Sequence, residues 1–146
     1  MGRPADVTPS AYADTNLIVA HLAGPNHPFH VAAVELMAQV DRGEFRLIVD
    51  PLVVAETVWA ARSALGLSSA SVASVLLRLI EADGLVVTDR PVVRRALEVQ
   101  EQHPRMDFVD AWLVAKGLHT GPPVIASFDR DLDRIPGIER LGVAKA

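Results

Sequence analysis

Four carboxylates occupy positions where an ionised side chain calls for a reason. Asp14 follows Ala11-Tyr12-Ala13, and Asp129 follows Val124-Ile125-Ala126-Ser127, two residues ahead of Asp131. Glu56 lies within Val53-Val54-Ala55-Glu56-Thr57-Val58-Trp59, and Asp110 within Phe108-Val109-Asp110-Ala111-Trp112-Leu113. Both are expected in the first turns of mainly apolar helices, where a carboxylate is expensive to bury without positive compensation. Converging carboxylates repel and raise each other's pKa, so a site that gathers several of them ordinarily holds a cation. With oxygen donors and no thiolate, the ion expected is Mg²⁺, with Mn²⁺ as an alternative. Each acid also has a purely structural reading. Asp14 can cap the helix that follows it, and Asp107 and Asp110 can serve a helix N-terminus. Asp129-Arg130-Asp131-Leu132-Asp133 can be a solvated turn, and Asp50 before Pro51 reads as a cap.

The elements that must position these acids alternate. Ala11–Ala13, Phe45–Val49, Leu85–Thr88 and Val124–Ser127 read as strands, and Ile138–Val143 as a possible fifth. Helical spacing is expected from Asp14-Thr15-Asn16 onward, then over Phe29–Val40, Leu52–Leu65, Ser68–Ala82, Pro91–Gln100 and Asp107–Leu118, with a short turn at Asp131–Ile135. Helices between short apolar strands imply crossover connections and a mostly parallel four- to five-stranded sheet covered on both faces, an α/β fold. Ligands of such sheets sit beyond the carboxyl ends of the strands, where Asp14 and Asp129 fall. Residues 1–10 are expected to form a flexible N-terminal segment and residues 11–146 one domain.

Four segments, taken in order, resemble the PIN-domain ribonucleases, and among them the VapC-type toxins of toxin–antitoxin pairs. They are Tyr12-Ala13-Asp14-Thr15-Asn16, Val54-Ala55-Glu56-Thr57, Phe108-Val109-Asp110-Ala111-Trp112-Leu113-Val114-Ala115 and Ser127-Phe128-Asp129-Arg130-Asp131-Leu132. The resemblance runs from about Ala11 to Val143 and implies a three-layer PIN-like fold. It implies Mg²⁺-dependent hydrolysis of RNA phosphodiester bonds, with Asp14, Glu56, Asp110 and Asp129 as the acidic site. Asp14, Asp110 and Asp129 would hold the ion, with Asp131 as the alternative to Asp129, and Glu56 would orient or deprotonate the attacking water or hold a second ion. Thr15 and Asn16 would brace Asp14. Ser127 stands where relatives commonly carry Thr. The same resemblance implies an RNA substrate, tRNA or ribosomal RNA among them, a cognate antitoxin and a homodimer. A PIN nuclease of RNA processing and a catalytically silent PIN-like binding module are the alternatives.

Composition sets the outer limits. The chain has 146 residues, 14 basic and 18 acidic, and no cysteine, which removes disulfide frameworks, thiolate zinc sites and cysteine nucleophiles. Mean hydropathy is +0.25, but charges interrupt every apolar run, and the first ten residues lack the apolar core of a signal peptide. A cytoplasmic protein with no membrane contact is expected. The formal charge of −4 equals that of the four candidate acids, so the rest of the chain is neutral, and 12 of its 14 basic residues are Arg, suited to phosphate. Arg62, Arg105 and Arg130 adjoin the acidic motifs and are the candidate RNA contacts, whereas Arg90, Arg94 and Arg95 read as a solvated face. Two Trp, one Tyr and four Phe leave little for an aromatic RNA-binding platform. His27 and His30 lack further zinc ligands and read as turn residues. The stripe Val72, Val75, Leu76 and Leu79 reads as core, with a dimer surface as its second reading. A haloacid-dehalogenase-like phosphatase needs a second Asp where Asn16 stands, and a response-regulator receiver needs a Lys better placed than Lys116 or Lys145.

Overall fold

The computed structural model describes residues 7–142. Among the described residues five short strands are separated by pairs of α-helices and, before the last, by a 3-10 helix. The strands are β1 (Ser10–Tyr12), β2 (Arg46–Val49), β3 (Leu85–Val87), β4 (Val124–Ala126) and β5 (Glu139–Leu141). The helices are α1 (Thr15–Ala23), α2 (His30–Asp41), α3 (Pro51–Leu65), α4 (Ser69–Leu79), α5 (Arg90–Gln102) and α6 (Phe108–Thr120), and a 3-10 helix spans Arg130–Arg134. Every recorded strand pair is parallel, as the alternation demands. The hydrogen bonds group the strands as β1-β2-β3, with Ala11 opposite Leu47 and Leu47 opposite Leu85, and as β4-β5, with Ile125 opposite Arg140. The result is a three-layer α/β fold of parallel strands flanked by helices.

The helix ends follow from local chemistry. Asp50 caps α3, its Oδ1 accepting from the Leu52 N–H at 2.9 Å with Pro51 in the first turn, and the helix stops where Gly66 turns left-handed at φ 65°. Ser68 opens α4 by accepting from the Ser71 N–H. The α4 stripe is core as expected: Val72 and Leu76 are buried, with Val75 and Leu79 half-buried. Helix α5 packs between α4 and α6, while α1 packs on α2 and α3. Its buried Gln100 donates from Nε2 to the Met106 carbonyl at 3.1 Å, tying down the loop that leads into α6.

Three local expectations are corrected. Pro9 and Ser10 are not a loose tail, because the Pro9 carbonyl accepts from the Arg46 N–H and Ser10 begins β1; residues 1–6 of the expected flexible segment lie outside the described residues. Glu56 lies in the second turn of α3 rather than the first, since Pro51 already begins the helix. Arg90 does not share a solvated face with Arg94 and Arg95. Its guanidinium donates to the Leu85 carbonyl at 2.7 Å, whereas Arg94 pairs with Glu81 and Arg95 with Glu98. The last strand ends at Leu141, and Val143 lies outside the described residues.

Candidate active site

The topology delivers the acids from different elements. Asp14 lies two residues beyond β1, at the N-cap of α1, where its Oδ1 accepts from the Leu17 N–H at 2.9 Å. The capping reading of Asp14 therefore holds, and it leaves the second carboxylate oxygen free for another partner. The neighbouring Thr15 hydroxyl donates to Glu56 Oε2 at 3.0 Å, which joins the β1 end to α3. This differs from the expected bracing of Asp14 by Thr15: Asp14 is held by its own helix, and Thr15 holds Glu56 instead. Asn16 is exposed and lines a shallow cavity with Asp14 and Leu17.

Asp110 sits in the first turn of α6 and is partly buried. Burial pushes its carboxyl above the ordinary carboxylate value, and the charges of Asp129 and then Asp107 push it the same way. Asp110 and Asp129 are thus close enough for their charges to interact. Asp107 takes the N-cap position of α6 but makes no capping bond; its Oδ1 accepts from Arg62 Nη1 at 2.9 Å.

The fourth acidic segment is fixed from several sides. Asp129 caps the 3-10 helix by accepting from the Asp131 N–H at 2.9 Å, and its own N–H donates to Ser127 Oγ at 3.0 Å. Arg140 on β5 donates to both carboxylate oxygens of Asp133, at 2.8 and 3.1 Å, and to the Ser127 carbonyl at 3.1 Å. That grip draws the Asp133 carboxyl below its ordinary value. Asp131 lines a cavity with Arg105, His103 and Arg134. Arg130 is exposed at the start of the 3-10 helix.

Beside Asp110 opens a cleft of about 840 Å³ between α3, the start of α4 and the loop before α6. Trp59, Arg62, Leu67, Asp107, Val109 and Asp110 line it. Arg62 thus lies in the cleft but is already paired, whereas Arg105 lies in the separate Asp131 cavity. His27 and His30 serve the turn, as expected: His27 Nδ1 accepts from the Phe29 N–H, and His30 Nδ1 lies 2.8 Å from the Ala20 carbonyl.

A family model for the PIN domain matches residues 11–138. The chain belongs to the PIN domain family. No curated protein and no solved structure matches it. PIN domains are in general nucleases, hydrolases that act on nucleic acid, and they typically use divalent metals. In kind the donors suit such an ion, since the acids supply oxygen only. Among the described residues no three acidic or imidazole side chains are already gathered into a ligand set. No helix is long and apolar enough to cross a membrane.

Trp59 was not singled out by sequence reasoning. The available signal was its spacing, three residues from both Glu56 and Arg62, which puts all three on neighbouring stripes of one helix.

Proposed function

We propose that the chain is a Mg²⁺-dependent endoribonuclease and the toxin of a VapBC-type pair, hydrolysing RNA phosphodiester bonds at the acidic site. The observation that carries this reading is Asp110, a carboxyl raised by burial and by Asp129, within a chain of the PIN family. Asp14, Asp110 and Asp129 would hold the ion, with Mn²⁺ as a substitute. Asp129 is favoured over Asp131 because its charge acts on Asp110, while Asp131 lines the cavity with Arg105. Bound there, a divalent ion would supply charge neutralisation at the phosphate oxygens and a more acidic attacking water.

The protein's own groups do the rest. Glu56 accepts the Thr15 hydroxyl at Oε2, which leaves Oε1 to orient that water or take its proton. Asp14 is fixed by the Leu17 N–H and Asp129 by the Asp131 N–H, so neither carboxylate must be ordered when substrate arrives. Arg62 uses only Nη1 on Asp107, and its other donors can reach a phosphate. Arg105, in the Asp131 cavity, and the exposed Arg130 are further phosphate contacts. A homodimer, neutralised by an antitoxin that places a cationic side chain among the acids, completes the reading.

Purified protein incubated with total RNA tests it. Discrete cleavage products are expected with Mg²⁺ and none with EDTA, and cleavage indifferent to chelation contradicts the mechanism. Expression together with a neighbouring short open reading frame should suppress the cleavage if the toxin assignment holds. Unsuppressed cleavage assigns the enzyme to RNA processing.

A further inference from the structure

An exposed tryptophan in a cleft beside an arginine and an acidic centre needs an occupant. Trp59 keeps 69% of its surface open to solvent. Among the described residues no aromatic ring or cation stacks on it, whereas Trp112 packs against Phe108 and Lys116. Helix α3 makes the arrangement: Ala55, Trp59 and Arg62 follow at helical spacing along the cleft, which Asp110 of α6 also lines. Glu56 is one residue along from Ala55 and turns toward Thr15. The same helix therefore carries a site acid, an unpartnered indole and a guanidinium in sequence.

We propose that Trp59 and Arg62 form a nucleotide subsite: the indole stacks on one unpaired base of the RNA next to the scissile phosphate, and the guanidinium takes the adjoining phosphate. This rests on the ribonuclease reading and specifies its substrate as single-stranded at that nucleotide. Charge chooses the occupant. An apolar protein segment would cover Trp59, Leu67 and Val109 but leave the Arg62–Asp107 pair facing it. A nucleotide offers a π-face to the indole and an anion to the guanidinium's remaining donors. Asp107, at the N-cap of α6, pairs with Arg62 of α3 at 2.9 Å, and both line the cleft. A base pair cannot use the site, because its faces are covered by neighbouring pairs, so the RNA must present an unstacked base, as loops do. Within the cleft Trp59 is the exposed aromatic residue, so the subsite takes one stacked base.

The test combines kinetics with a binding signal. Trp59→Ala should weaken RNA recognition about 5- to 150-fold, read as raised KM with kcat little changed, and Trp59→Phe should restore most of it. For binding, Glu56→Gln with Trp112→Phe leaves Trp59 as the sole tryptophan in a protein slow to cleave. A short single-stranded oligoadenylate with Mg²⁺ should quench its fluorescence saturably, and an abasic oligomer of the same length should not. Equal quenching by the abasic oligomer, or wild-type KM in Trp59→Ala, overturns the proposal while leaving RNA cleavage by the wild type intact. A wild type that cleaves no RNA instead removes the ribonuclease reading, and the quenching still decides whether the cleft takes a base. Loss of dimer in sedimentation of Trp59→Ala, with RNA binding unchanged, also overturns the proposal and makes the indole part of a protein interface.

Discussion

At the scale of single residues, the two most informative side chains are Asp110 and Thr15. Asp110 has a folded-state pKa above its ordinary value of 3.8, chiefly through burial. The folded protein then holds that proton more tightly than the unfolded chain. Stability is lost as pH rises from the ordinary value through the raised one. Asp110→Asn should accordingly raise Tm at neutral pH, by about a few degrees at most because the group keeps access to solvent, and the gain should vanish toward pH 4. Thermal melts across pH check this, and a lower Tm for the Asn variant at pH 7 contradicts it. Thr15 donates to Glu56 across 41 residues of sequence. Thr15→Val should cut kcat about tenfold with little change in KM, and Thr15→Ser should recover it, since a partner that orients a site carboxylate is worth about that much.

At the scale of elements, the 3-10 segment after β4 depends on a residue from a later strand. Arg140 grips Asp133 and the Ser127 carbonyl, bracketing Asp129 from both sides. Arg140→Ala should therefore lower cleavage by up to about 100-fold through misplacement of Asp129, with the fold retained in circular dichroism. Unchanged cleavage would separate Asp129 from the site. The helix and strand pattern was legible because its signals are local: Asp50-Pro51 before α3, Gly66 after it, and apolar spacing within α4. The partners of polar side chains were not. Arg90 looks like one more cation on a charged helix until the turn at Thr88 and Asp89 brings it back to the Leu85 carbonyl. Gln100 looks like a surface residue until the α5–α6 loop folds under it. The family resemblance implies Thr15 as a brace for Asp14, but the β1–α1 turn brings its hydroxyl to Glu56 on α3. Such pairings join segments far apart in sequence, and no periodicity encodes them.

At the scale of the whole molecule, the net charge of −4 equals the formal charge of the four candidate acids alone. Five of the arginines, Arg42, Arg62, Arg94, Arg95 and Arg140, are tied to carboxylates, so the surface offers fewer free cations than the composition suggests. RNA affinity should then rest on the divalent ion and a few side chains around the cleft, and should fall when the ion is removed. The most direct test of the account is cleavage of one defined RNA in Mg²⁺ by the wild type and by Asp14→Asn and Asp110→Asn, each verified as folded. The expected result is a loss of at least about 100-fold in both variants, restored by no excess of RNA. Wild-type rates in either folded variant would contradict the acidic metal site.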